Sequence, residues 1–415
     1  MARVPRPRTP RSSPGIPASQ AGLVVLLGSM TALGAVAGDI YLPSLPQIAA
    51  DFATTEGGAQ ATVSFTMLGG AIGQLLIGPI SDMVGRRRPV LAGVALLIAA
   101  SVGIMLAPSL WVLLLLRLIQ GVGNAAAAVV ALAVVRDLYT GTRAARLISR
   151  LMLVIGAAPL LAPTLGSLIG AWAGWRATFA FLAAFGVWLW LFVYFKLPDT
   201  LAPERRGARS VRSLTRGYAG LGRDRTFVAL AVVPGLGQAA LMAWVVSSPF
   251  LVMETYGLSP AIFPIVFAAG GICLVGGAQV NAGLVRRLGP RRLLAFAIPA
   301  SLVCAAVLLL LTLLGRLGGL TGVLIPTFAI LLLSGMVGPN ASAMAMSRHG
   351  EAAGSAAAVV GFGQASIAAV MTAVVGVIGG QFGAAAIVFG AIGLAQAIVV
   401  AGAKIYGPQP PTPLP

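Results

Sequence analysis

Residues 78–91 read GPISDMVGRRRPVL, and residues 280–294 read VNAGLVRRLGPRRLL. Each is a short glycine- and arginine-rich turn wedged between two apolar runs. Aligning Gly85 with Gly289 gives an offset of 204 residues (289 − 85), about half of a 415-residue chain. A loop that returns after half the length, in the same succession of apolar runs, marks an internal duplication. The second copy is degraded, because Arg286 stands where the first has Asp82.

What surrounds the two loops decides the class. The chain is 58% hydrophobic and 9% charged, with a mean hydropathy of +0.95. An ordinary soluble domain carries about 25% charged residues. A spanning helix needs about 20 apolar residues. Twelve such runs are present: 21–43, 60–80, 89–107, 110–135, 147–171, 176–197, 227–250, 260–284, 293–315, 320–346, 352–379 and 382–405. The predicted fold is an all-α membrane protein of twelve transmembrane helices in two pseudo-symmetric six-helix bundles. A six-plus-six repeat is the pattern of a two-bundle secondary transporter. The expected division is a cytoplasmic tail (1–20, disordered by composition), an N-terminal bundle (21–197), a basic linker (198–226), a C-terminal bundle (227–405) and a second tail (406–415).

The net charge of +18 does not point to nucleic acid, because the arginines are spread over short clusters between apolar runs. Arg3, Arg6, Arg8 and Arg11, then Arg86 to Arg88, then Arg136, Arg143, Arg146 and Arg150, then the linker, then Arg286, Arg287, Arg291 and Arg292 fall in alternate loops. The other side holds only Arg176 and Arg316. Under the positive-inside rule both termini are cytoplasmic. Within the linker Val211, Leu214, Tyr218 and Leu221 recur at helical spacing. This fits a short helix on the anionic inner leaflet, and equally a solvated flexible connector. At the other end, "AVAG" (35–38) resembles a signal-peptidase site, and a cleaved signal is the rival to a first span.

Several functions are excluded by what is missing. Cys273 and Cys304 both lie in apolar runs, and the single His349 lies in a polar loop. No disulfide, metal cluster or activated nucleophile is expected, which argues against a membrane-embedded enzyme. No G-x-x-x-x-G-K-[ST] occurs, so ATP is not the driving force. The longest loop is too short to be the output domain of a sensor.

The spans hold few charges. Asp39 is the only charged side chain from Gly22 to Leu45, and Arg117 stands in the fourth span, LLLLRLIQGVGNAAAA. A charge in hydrocarbon costs a few kcal/mol and is normally paired and functional. An arginine cannot shed its proton, so Arg117 needs an anion or a set of carbonyls; a snorkelling arginine at the outer interface is the alternative. Arg117, Gln120, Gly121 and Asn124 share a helix face. Counted from the span ends at 1.5 Å per residue, Asp39 and Arg117 both lie roughly 9–12 Å below the outer surface. In the fifth span Gly156, Pro159, Pro163, Gly166 and Gly170 share one face, the composition of a closely packed hinge or of plain helix packing. Asn340 and Gln364 are uncharged polar groups at membrane depth, and Met67, Tyr41, Gln238 and Trp244 stand in the spans with them; for each singly, helix packing is an equal reading. Gln120 and Asn124 join them as candidates for lining a substrate cavity.

On these motifs, taken in order over residues 22–405, the chain resembles the major facilitator superfamily, and within it the Bcr/CflA family of bacterial drug–proton antiporters. The resemblance implies that Gly78, Asp82, Gly85, Arg86 and Arg87 form the cytoplasmic gate. Asp82 would cap span 11 near Gly350, and Arg86 would pair with Asp137. It implies that spans 1 and 4 line the central cavity, so that Asp39 and Arg117 face one another or share a water-filled pocket. Asp39, Tyr41, Leu42, Pro43, Leu45 and Pro46 fit the family's first-span pattern. Asp39 and Arg117 are then the proton-coupling pair, and the span-5 face is the antiporter motif. Burial favours the neutral form of a carboxylate and a neighbouring arginine the charged form, so a changing cavity lets such a group load and release a proton.

The implied protein is a monomeric, proton-coupled exporter of small drug-like molecules in the bacterial plasma membrane. It has no cofactor beyond the proton, no nucleic-acid partner and the bilayer as its surroundings. A dedicated exporter of one metabolite or a self-made antibiotic, and an uncoupled facilitator, remain as alternatives.

Overall fold

The computed structural model describes residues 20–139, 141–201, 224–314, 319–346 and 353–405. Among them no strand occurs. The long helices are α1 (Gln20–Asp39), α2 (Glu56–Val84), α3 (Arg87–Met105), α4 (Leu110–Leu138), α5 (Gly141–Ala173), α6 (Trp175–Lys196) and α7 (Arg225–Pro249). A 51-residue helical stretch, Phe263–Leu313, breaks at Gly289 and so supplies two helices, α8 (263–288) and α9 (290–313). α10 (Gly319–Met346), α11 (Ala353–Ile378) and α12 (Gly380–Ile405) complete the twelve. Nine helical stretches among the described residues are long and apolar enough to cross a membrane, one of them the double-length stretch. The shorter apolar segments Leu161–Ala173 and Gly383–Val399 lie in α5 and α12. Most of the linker, both tails and the turn holding Gly350 lie outside the described residues, and with them the two readings of the linker and the capping of span 11.

The duplication is visible in the backbone. Gly85 (φ 93°) and Gly289 (φ 76°) make the turn after the second helix of each half, and Gly174 (φ 75°) and Gly379 (φ 80°) precede the sixth. The second pair is 205 residues apart (379 − 174), so the register set by the arginine loops holds to the end of each half. Only glycine takes up such φ values without strain.

The first span differs from the single run expected over 21–43. α1 stops at Asp39, the chain turns through Ile40 and Tyr41, and a 3-10 turn (Leu42–Ser44) leads into a short helix, Leu45–Asp51. Pro43 is the physical cause. It has no N–H to donate to the Asp39 carbonyl four residues back, and its ring collides with that carbonyl in a continuous helix. Asp39 therefore ends a helix rather than sitting inside one. At that same end of the molecule Asp51 accepts from Arg176 Nη1 (2.8 Å) and from Trp175 Nε1 (2.7 Å), tying the short helix to the start of α6.

Small residues let the helices meet backbone to backbone. A Cβ built on Gly73 of α2 would stand 2.9 Å from the Val122 carbonyl oxygen of α4, and one on Gly277 of α8 only 1.7 Å from the Leu332 carbonyl oxygen of α10. Between the bundles, α2 runs along α11. At the end remote from the arginine-rich loops Gly57 abuts Gly376, and Gln60 Nε2 donates to the Val246 carbonyl of α7 at 3.4 Å.

Candidate functional site

Arg117 is completely buried in the N-terminal bundle. Its Nη1 donates to the Ala37 carbonyl of α1 (3.2 Å) and to Gln120 Oε1. The guanidinium lies over the Tyr41 ring at 4.1 Å and near Phe179 of α6 at 5.5 Å. Aromatic faces attract a desolvated cation by roughly 2 kcal/mol or more each at best. Gln120 passes the network on, donating from Nε2 to Ser101 Oγ of α3 at 2.8 Å, and Ser101 donates to the Leu97 carbonyl. Tyr41 Oη and Thr62 Oγ1 of α2 are 3.0 Å apart. Nε and Nη2 of Arg117 have no partner among the described residues. α1, α3, α4 and α6 thus converge on one buried cation.

Asp39 is half-buried, and no hydrogen bond or ion pair joins it to another described residue. The structure does not bring Asp39 and Arg117 into contact as a pair. Arg117 reaches α1 at the Ala37 carbonyl, because the turn after Asp39 carries Tyr41 back over the guanidinium. The carboxylate is left within electrostatic reach of Arg117 but free of a fixed partner. Asn124 lies two turns along α4, against Gly34 of α1, and its Oδ1 also has no partner among the described residues.

The glycine face of α5 packs onto this same turn. A Cβ on Gly166 would fall 1.5 Å from the Ile40 carbonyl oxygen, and one on Gly170 2.9 Å from Ser44 Oγ. Pro163 is buried beside them. Gly156 and Pro159 belong to α5, but their surroundings lie outside the described residues. What the sequence presents as a motif on one helix is in space a seam between α5 and the residues flanking Asp39.

The arginine loop forms a second cluster at the opposite end. Arg86 Nε and Nη2 reach the two carboxylate oxygens of Asp137 at 2.8 and 3.3 Å, and Nη1 reaches Asp82 (2.6 Å) and Ser81 Oγ (2.8 Å). Burial works against the charge on Arg86. The hydrogen bonds to Asp137 and Asp82 more than offset it and hold the guanidinium above its ordinary pKa. Sequence reading missed two members. The Arg86 amide donates to Asp199 Oδ1 at 2.8 Å, and Thr200 donates to Asp137 Oδ2 at 3.0 Å. Both follow α6, where the linker begins. Gly85 is what admits Asp199, since a Cβ there would stand 2.0 Å from the carboxylate. Arg87 lies over the Tyr194 ring and donates to the Tyr194 carbonyl. Around Gly78 there is open space. Asp199→Ala is expected to lower thermal stability by about 1–3 kcal/mol through the orphaned Arg86 amide, as read by unfolding of the detergent-solubilised chain.

The remaining cavity candidates divide. Met67 and Gln238 are half-buried, and Trp244 is buried edge-on against Phe328 at 6.1 Å. Gln120 lies inside the first bundle with no exposure. Asn340 is a strut as well, donating to Asn281 Oδ1 of α8 at 2.6 Å. Asn281 had no sequence signal, because a lone asparagine in an apolar run does not reveal its partner.

A model of the Major Facilitator Superfamily matches residues 27–373. The chain is 32% identical to an uncharacterized MFS-type transporter, YdgK, of Bacillus subtilis (strain 168), covering 86% of this chain and 88% of that one. It is 30% identical to multidrug resistance protein D of Escherichia coli (strain K12), over 82% and 84%. It is 29% identical to a chloramphenicol resistance protein of Pseudomonas aeruginosa, over 75% and 73%. Among solved structures, the xylose transporter XylE of E. coli in a partially occluded, inward-open conformation superposes with a TM-score of 0.72 at 13% identity, over 94% of this chain and 99% of that one.

Proposed function

The chain belongs to the Major Facilitator Superfamily, and from that premise we propose a proton-coupled exporter of small drug-like molecules in the bacterial plasma membrane. It is a transporter and not an enzyme. The relatives named for multidrug and chloramphenicol resistance support a drug-like cargo. The observation that carries the coupling is Asp39. It is a half-buried carboxylate at the end of a spanning helix, held by no hydrogen bond or ion pair among the described residues. It lies beside a buried arginine whose Nε and Nη2 have no hydrogen-bond partner among the described residues. A group so placed exchanges its proton when the cavity changes its surroundings.

Alternating access supplies that change. The close contacts at Gly57, Gly376, Gln60 and Val246 seal the end remote from the arginine loops. With the arginine loops and both termini in the cytoplasm, this is a state closed to the outside. The Arg86 cluster would engage the second bundle when the inside closes. One chain holds both bundles, so a monomer suffices.

In a bacterium stripped of its own efflux pumps the chain is expected to raise tolerance to chloramphenicol and other neutral lipophilic antibiotics. In inverted vesicles, adding the exported compound is expected to dissipate part of an imposed pH gradient. Tolerance without any effect on the gradient would overturn coupling and leave an uncoupled facilitator. Tolerance to nothing in the panel would favour a dedicated metabolite exporter.

A further inference from the structure

Tyr41 stands two residues beyond Asp39, in the turn that ends the first span, and is completely buried. Its ring covers the Arg117 guanidinium at 4.1 Å and packs against Phe179 at 5.5 Å. Its hydroxyl is 3.0 Å from Thr62 Oγ1 of α2, which is also buried. Thr62 gives its one hydroxyl hydrogen to the Ala59 carbonyl at 2.6 Å. In the pair Tyr41 therefore donates and Thr62 accepts. A donor so enclosed has no water to turn to if the bond breaks.

The same helix closes the seam between the bundles. Gly57 abuts Gly376 of α11, and Gln60 Nε2 donates to the Val246 carbonyl of α7. At 3.6 residues per turn, Thr62 stands about 140° and 160° round α2 from Gly57 and Gln60. α2 is thus gripped by the second bundle on one side and by Tyr41 on the other. Behind the turn there is no slack, because Gly166 and Gly170 of α5 lie against Ile40 and Ser44. Arg117 is the charged group within electrostatic reach of Asp39, and Asp39 and Tyr41 are those within reach of Arg117. At the same end Asp51 pairs with Arg176, and Glu56 of α2 lies within reach of Glu254 beyond α7.

We propose that Tyr41 is a positioning residue that passes the protonation state of Asp39 to this seam through its hydrogen bond to Thr62. The proposal rests on the reading of Asp39 as the proton carrier and adds the link from carrier to gate. With Asp39 neutral, Arg117 stays on the Ala37 carbonyl, Gln120 and the Tyr41 ring; Tyr41 keeps its bond to Thr62, and α2 stays seated against the second bundle. With Asp39 ionised, the carboxylate draws the guanidinium, whose Nε and Nη2 have no partner among the described residues, off the ring. Tyr41 follows, Thr62 is released and α2 loses its inner hold. Acid therefore favours the closed seam and alkali the open one. An exporter needs this order, since a proton taken up while the seam is open then closes it.

The test measures the distance between the bundle ends of the full-length chain in nanodiscs by double electron–electron resonance, which does not depend on thiol reactivity. Spin labels sit on Leu106→Cys and Leu314→Cys, exposed positions where α3 and α9 end, with Cys273 and Cys304 replaced by alanine. In this background the ratio of closed to open populations is expected to fall at least about fivefold from acid to alkaline pH. Tyr41→Phe keeps the ring over Arg117 and loses only the hydroxyl. It is expected to show the alkaline ratio at both pH values. Thr62→Val should do the same, Thr62→Ser should keep the response, and Tyr41→Phe with Thr62→Val should go no further than either alone. Asp39→Asn should show the acid ratio throughout. A response kept in Tyr41→Phe and lost in Asp39→Asn would overturn the link and leave Asp39 as the carrier. A response kept in Asp39→Asn would assign the sensing to Glu56 and Glu254 and overturn both. Loss of the response in Thr62→Ser would trace the effect to packing and overturn the link, as would a background that does not respond to pH. Export itself is tested separately by the vesicle assay.

Discussion

Asp39→Asn is expected to cut proton-driven export at least about 100-fold, the scale on which a positioned proton-transfer group matters. Asparagine keeps the shape of the side chain and removes its ability to take up and release a proton. The structural cost of the change is small, because Asp39 has no hydrogen bond or ion pair with any described residue to lose. Fold and abundance should therefore match wild type, and exchange of substrate down its own gradient should persist. The discriminating measurement is export from inverted vesicles with and without an imposed pH gradient. Wild type should respond to the gradient and the variant should not. Equal stimulation of both would sink Asp39 as the carrier.

Gly57→Val is expected to push the transporter toward the state open at the end remote from the arginine loops. Gly57 and Gly376 touch through their backbones. A Cβ on Gly57 would lie 2.1 Å from the Gly376 carbonyl oxygen, and one on Gly376 2.7 Å from the Gly57 Cα. No rotamer relieves a collision with backbone, so α2 and α11 must part. Overpacking of this kind costs about 1–3 kcal/mol, which moves a two-state balance about 5- to 150-fold. The penalty falls only on the state in which the contact exists. The readout is labelling of Ser64→Cys by an impermeant maleimide, with Cys273 and Cys304 replaced by alanine. Ser64 is buried in the closed state, so labelling should rise sharply in Gly57→Val. Gly78→Ala is the control, because nothing stands within 4 Å of a Cβ there. Unchanged labelling in a folded Gly57→Val protein would show that this contact does not hold the bundles shut.

Both predictions depend on positions the sequence presents very differently. Asp39 stands out in any reading, as the one carboxylate in a long apolar run. Gly57 does not, because a glycine pair at the start of a helix is silent about a partner 319 residues away (376 − 57). The same contrast runs through the site. Arg86 and Asp137 are readable as charges near the ends of neighbouring spans, whereas Asp199 enters the cluster only because Gly85 leaves room for its carboxylate. Arg117 is readable as a buried cation, but its seat on Tyr41 depends on the turn after Asp39. Gln120 and Asn340 look like cavity residues in a linear reading and are struts in space.

By itself, then, the sequence determined the membrane, the twelve spans, the duplication and the two charges worth watching. Those properties are local: hydropathy records which solvent each segment can tolerate, and the arginine loops record the repeat. The tertiary structure alone decided that α1 ends at Asp39, that Asp39 and Arg117 do not form an ion pair, and that Gly166 and Gly170 of α5 lie on the turn beside Asp39. These depend on how each helix is rotated and which distant backbone it meets. Lipid solvates every apolar face alike, so hydropathy carries no information about that choice.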